Sequence, residues 1–171
     1  MAKIILIQGS LNKSSKTAIV LNEVAKELLK KTSDFHIIDL REIHMEFCDG
    51  RPLEMYSKEI QQIYRELEKA KGYIIGMPVY QKSVPGPLKN FLDITAKAMK
   101  NKTAAIVCNA GSKMSYLAAA ELAKILAFEE NVTTIQPIVF TSKEDFLNNE
   151  MKNEKVYEKI KELVENFIKK I

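Results

Sequence analysis

Four hydroxyl side chains fall within eight residues, at Ser10, Ser14, Ser15 and Thr17, directly after a short apolar run and Gly9. Such residues at the start of a helix are anion ligands. The first-turn N–H groups have no intrahelical partner, and the helix dipole favours negative charge there. Ordinary N-capping by Ser14 or Ser15 would need one hydroxyl, and four is an excess over that need. The set therefore points to a phosphate. It is no Walker loop, because Ser15 and not glycine precedes Lys16-Thr17. It is no GxGxxG dinucleotide fingerprint either, since Leu11 and Ser14 stand where glycines are required. A hydroxyl-rich loop poor in glycine suits a terminal monophosphate, such as that of FMN.

A second segment, Gly76–Asp93, holds three prolines and two glycines around Tyr80. It can offer stiff backbone amides and an aromatic ring to a flat ligand, although a rigid structural turn would carry the same prolines. A third, Asn109–Ser115, is short and polar. Other chemistry is sparse. His36 and His44 lie eight residues apart, and with Cys48 and Asp49 they make no recognised metal-ligand spacing. Cys48–Arg51 lacks the Cys-x5-Arg spacing of a phosphatase loop, and Glu129-Glu130 reads as a solvated helix end. No metal site and no catalytic triad is expected.

The elements that must position these loops alternate. Apolar β-rich runs at Lys3–Gln8, Phe35–Leu40, Gly72–Met77, Thr103–Cys108 and Thr133–Phe140 predict five strands, the last interrupted by Pro137 and so bulged or at an edge. Between them, Ala18–Leu29, Ile60–Leu67, Pro85–Leu92 and Ser115–Phe128 predict helices. Val156, Ile160, Leu163, Phe167 and Ile171 stripe a last one. This alternation predicts one α/β domain over residues 1–171, a parallel sheet covered on both faces. Ligands of such sheets bind beyond the strands' carboxyl ends, where the three loops fall. Arg41–Tyr56 is the one long irregular stretch, and its apolar residues need cover.

Length and composition agree with a single globular domain: 171 residues, 46% hydrophobic and 28% charged. The net charge of +4 is too mild for a dedicated nucleic-acid binder. The apolar runs are too short to span a membrane. Met1-Ala2-Lys3 leads into a strand without the layout of a signal peptide, so a soluble, cytoplasmic protein is expected. Cys48 and Cys108, 60 residues apart, make no disulfide framework, and Cys108 reads as a small core residue.

Gly9-Ser10 with Ser15 and Thr17, then Pro78-Val79-Tyr80 with Ser83 and the run Pro85–Asn90, then Asn109–Ser115, together resemble the NAD(P)H-dependent FMN reductases of the flavodoxin-like superfamily. The resemblance in element order covers almost the whole chain, and the specific motifs about a fifth of it. It implies a flavodoxin-like three-layer sandwich with strand order 2-1-3-4-5. It further implies FMN as cofactor, NADPH or NADH as hydride donor, and a flavin, quinone, azo compound or similar small molecule as acceptor. By position, Ser10, Asn12, Ser15, Lys16 and Thr17 would hold the FMN phosphate. Pro78, Val79, Tyr80 and Gln81 would line the ribityl chain and one ring edge. Asn109, Gly111 and Ser112 would lie beside the pyrimidine end. Lys82 or Lys113 could place a cation near the ring. No catalytic side chain is needed, because the flavin carries the redox chemistry. The resemblance also implies a homodimer or homotetramer. The chain departs from the pattern at Asn12, where an arginine is common, at Gln81-Lys82, where Asn-Gly is frequent, and at Ala110, where many members have glycine. The alternative from another class is a flavodoxin-type electron carrier without NAD(P)H turnover, although such carriers are typically strongly acidic and this chain is not.

Overall fold

The computed structural model describes residues 4–171, so Lys3, expected in the first strand, lies outside the described residues. Five strands, β1 (Ile4–Gln8), β2 (Phe35–Asp39), β3 (Gly72–Pro78), β4 (Thr103–Ala110) and β5 (Thr133–Ser142), form one parallel sheet in the order β2-β1-β3-β4-β5. The expected order 2-1-3-4-5 is the observed one. Alternate residues of β1 face opposite layers. Ile5 and Ile7 pack in a core with residues of α2 (Lys58–Lys69), α3 (Gly86–Thr95) and α4 (Ala118–Glu130). Ile4 and Leu6 pack in a second core with α1 (Lys16–Leu29) and α5 (Glu154–Lys170). Both faces being buried, the central strands are apolar without alternation.

Pro137 does both things its position suggested. β5 is an edge strand, and its ladder with β4 slips so that Ile106 alone faces the stretch between Ile135 and Val139. The start of α4 is a correction. Ser115 belongs to a 3-10 turn, Lys113–Ser115, and the α-helix opens only at Ala118. A small hairpin of β6 (Phe146–Leu147) and β7 (Glu150–Met151) precedes α5, joined by Asn148 and Asn149 at positive φ. Asparagine tolerates that left-handed region better than most residues.

Arg41–Tyr56 is held by specific bonds. The Asn90 side chain of α3 donates to the Glu46 carbonyl (2.8 Å) and accepts from the Cys48 amide (2.9 Å). The Glu46 carboxylate accepts from the Ser57 amide, the N-cap residue of α2, at 2.7 Å. Asn90, part of the second motif, therefore acts as a strut for a loop.

Candidate active site

The first loop is fixed at its root by Gln8, a buried residue at the end of β1. Its amide oxygen accepts from the Ser10 N–H at 2.6 Å, and its amide nitrogen donates to the Ser10 carbonyl at 2.7 Å. The same nitrogen donates to Asp39 at the end of β2 (3.1 Å). Burial pushes the Asp39 carboxyl up, but hydrogen bonds from Arg41 and Gln8 outweigh it and hold the group below its ordinary value. Gly9 must be glycine, because a Cβ there would stand 2.7 Å from the Gly76 carbonyl oxygen, to which the Gly9 amide donates at 2.9 Å.

Beyond Gln8 the loop turns on its own side chains. Ser10 Oγ accepts from the Asn12 amide, and Asn12 Oδ1 from the Ser14 amide. Ser15 is the N-cap of α1, its Oγ accepting from the Ala18 amide at 3.1 Å. The amides of Lys16 and Thr17 keep no partner in the described chain, and Thr17, a buried residue, stands in the same turn. The structure thus separates two positions that the sequence ran together: Ser15 caps, while the amides of Lys16 and Thr17 stay unpartnered in the described chain.

The second loop leaves β3 through Pro78 and Val79, whose amide donates to the Asn109 carbonyl on β4 at 2.8 Å. Tyr80 and Ser83 form a β-bridge closed by the Ser83 amide on the Tyr80 carbonyl, with Gln81 (φ 51°) and Lys82 (φ 60°) at the turn. Two positive φ values mark a type I′ turn, the geometry that Asn-Gly prefers. Asn109 donates through its side chain to the Thr141 hydroxyl at 3.0 Å, which ties the third loop to β5.

These loops meet in one cleft of about 180 Å³ at the carboxyl end of the sheet. Ser10, Asn12, Ser15, Lys16, Thr17, Pro78, Val79, Tyr80, Asn109 and Gly111 line it, together with Ser14 and Ala110. Two expected residues do not. Gln81 is spent on the tip of the turn, and the Ser112 hydroxyl caps the 3-10 turn by accepting from the Met114 amide. Neither proposed cation, Lys82 or Lys113, lines the cleft: Lys113 pairs with Glu144 at 2.7 Å, and Lys82 stands at the turn. The ammonium of Lys16, which does line it, lies over the Phe146 ring.

The histidines are apart. His36 faces Glu66 at 3.2 Å, and the His44 amide donates to Glu59. Among the described residues no group of three or more His, Cys, Asp or Glu is gathered as metal ligands. The Cys108 thiol is buried and pushed up to about 12 by that burial, which makes it an inert core group.

The cleft lining includes Lys16 and Thr17, whose amides keep no partner in the described chain, and Gly111, which has open space beside its Cα. Residues 2–147 match the family described as NADPH-dependent FMN reductase. The chain belongs to this family. An NAD(P)H-dependent FAD/FMN reductase of Geobacillus thermodenitrificans is 34% identical over 119 residues, covering 67% of this chain and 63% of that protein. An iron-sulfur flavoprotein of Archaeoglobus fulgidus is 31% identical over 120 residues, covering 64% of this chain and 59% of that protein. The chain thus matches about three-fifths of the length of these curated relatives. Among solved structures, an NADH:FMN oxidoreductase in its apo form superposes with a TM-score of 0.77 at 21% identity, covering 98% of this chain and 88% of that one. A flavoenzyme NAD(P)H:(acceptor) oxidoreductase of Paracoccus denitrificans gives 0.75 at 18% identity, covering 99% of both. At these identities the likeness is one of fold.

Proposed function

We propose that this member of the FMN reductase family is itself an NAD(P)H-dependent FMN reductase, with FMN in the cleft between the three loops. The observation that carries the reading is the pair of unpartnered amides at Lys16 and Thr17, beside the Thr17 hydroxyl and in one cleft with Tyr80 and Gly111. FMN held there would supply the redox chemistry between NADPH or NADH as hydride donor and free flavin, a quinone, an azo compound or a similar small molecule as acceptor. The chain's own task is to bind and orient. The α1 N-terminus holds the phosphate with Ser10 and Thr17, and Asn12 shapes the loop around it. Pro78–Tyr80 bounds the ribityl chain, and the backbone of Asn109–Gly111 leaves room for the ring. No acid, base or nucleophile is asked of a side chain.

An anaerobic titration of the FMN-loaded protein with NADPH and with NADH tests this. Loss of the oxidised flavin's visible absorption is expected, and no reduction by either nucleotide would contradict the reading. Reduction by an artificial donor alone would favour the electron-carrier alternative.

The homodimer or homotetramer belongs to the same proposal. Phe128 and Phe47 are 88% and 83% exposed, and Phe128 borders a groove of about 1050 Å³ beside Leu53 and Leu92. Lys89, Lys97 and Lys124 mingle there with Asp93, Glu129 and Glu130, a mixture that suits a second copy of the same face. A monomer mass by light scattering at micromolar concentration would refute it. Exposed, unpaired Cys48 and a nicotinamide donor suit the reducing cytoplasm.

A further inference from the structure

We propose that the groove between α4, the edge of β5 and the start of α5 receives the adenosine 2′-phosphate end of NADPH. The inference rests on the reductase reading for the donor's identity. The groove measures about 650 Å³, within the ~300–1,000 Å³ range of small-molecule sites. Its walls are apolar, with Leu117, Ile138 and Phe140, and Tyr116 offers a ring that is 60% exposed. Its polar rim is basic. Lys155 and Lys159, one turn apart on α5, carry no ion pair among the described residues, and Lys113 pairs with the exposed Glu144 and feels the charge of Asp145. The acidic lining group, Asp145, is turned inward and occupied: its carboxylate accepts from the Ser142 amide and hydroxyl and from the Asn153 side chain. An apolar floor with a basic rim selects a ligand with a flat body and more than one negative charge.

Continuity with the proposed flavin cleft identifies that ligand. Gly111 lines the cleft and Lys113 lines the groove, so their Cα atoms are at most ~7 Å apart along one short loop. A dinucleotide whose nicotinamide end reaches the cleft can cross at Lys113 with its pyrophosphate and lay its adenine beside Tyr116. Lys155 and Lys159 then meet the 2′-phosphate, the group that NADH lacks.

The test compares the wild type with Lys155→Ala/Lys159→Ala, two exposed helix positions, and with Lys155→Arg/Lys159→Arg. In the alanine variant, KM for NADPH should rise about tenfold with kcat unchanged, while KM for NADH, KM for the acceptor and FMN affinity stay put. The arginine variant should keep the wild-type value. Parallel changes for both nucleotides, a change confined to the acceptor, or no change would each overturn the proposal. Calorimetry with adenosine 2′,5′-bisphosphate reads the groove without turnover. Binding should weaken with added salt and vanish in the alanine variant. No binding to the wild type overturns the groove whatever the kinetics. Binding without flavin reduction by either nucleotide leaves the groove standing and removes the reductase reading.

Discussion

At the scale of single residues, two buried polar groups do work that their types alone do not announce. Gln8 sits in a run that reads as one more buried strand, yet its amide closes two hydrogen bonds on Ser10 and one on Asp39. Gln8→Leu would leave the Ser10 N–H and carbonyl without those partners, at a cost of about 1–3 kcal/mol in stability by urea unfolding. It should also weaken FMN more than riboflavin, because the disturbed element is the phosphate loop; equal loss for both flavins would show a general collapse of the cleft. Cys108 gives a pH prediction. Its thiol is raised by burial from an ordinary 9.0 to about 12. The folded chain therefore keeps a proton that the unfolded chain releases, and stability falls as pH rises past the unfolded value near 9. The fall ends above the folded value. Between about pH 8 and about pH 10 the thiol's share of the loss is ~1.4 kcal/mol. In Cys108→Ala the pH-dependent loss should be smaller by that amount, whatever its baseline stability. An identical loss in the variant would show that the thiol is not the titrating group.

Whole elements were readable where burial imposed a pattern. All five strands and their parallel direction follow from apolar runs and from alternation with amphipathic helices, because both faces of the sheet must be covered, whereas the strand order came from the family resemblance. The failures lie where local hydrogen bonds decide. Ser115 looked like a helix start, but Ser112 already caps a 3-10 turn, and Tyr116-Leu117 intervenes before α4. The β6–β7 hairpin went unread because its strands have two residues each, too few to show any period. The clearest strain is at the second loop, where Gln81 and Lys82 both sit at positive φ in a turn made for Asn-Gly. Replacing them, Gln81→Asn with Lys82→Gly, should raise stability by about 1–2 kcal/mol in urea unfolding. Unchanged or lower stability would mean that the Tyr80–Ser83 bridge and the Ser83–Glu121 bond (2.6 Å) already set that loop without strain.

On the scale of the whole molecule, the fold brings residues 10–17, 78–80 and 109–111 to one point at the end of β1, β3 and β4, far apart in sequence and adjacent in the sheet. Most of that site was legible, because hydroxyls, prolines and glycines at strand ends are unusual in residue type. Its division of labour was not, since the type of Ser15 cannot say whether its oxygen caps a helix or meets a ligand. The central claim is that this point recognises a phosphate attached to a flavin. The direct measurement is a fluorescence titration of FMN and riboflavin into the wild type and Ser10→Ala/Thr17→Val, which leaves the Ser15 cap intact. Two hydrogen bonds to a charged group contribute ~1.5–3 kcal/mol each, so FMN should lose at least ~100-fold in affinity while riboflavin hardly changes. If riboflavin loses as much as FMN, or if the wild type binds both flavins equally, the loop is not a phosphate cradle.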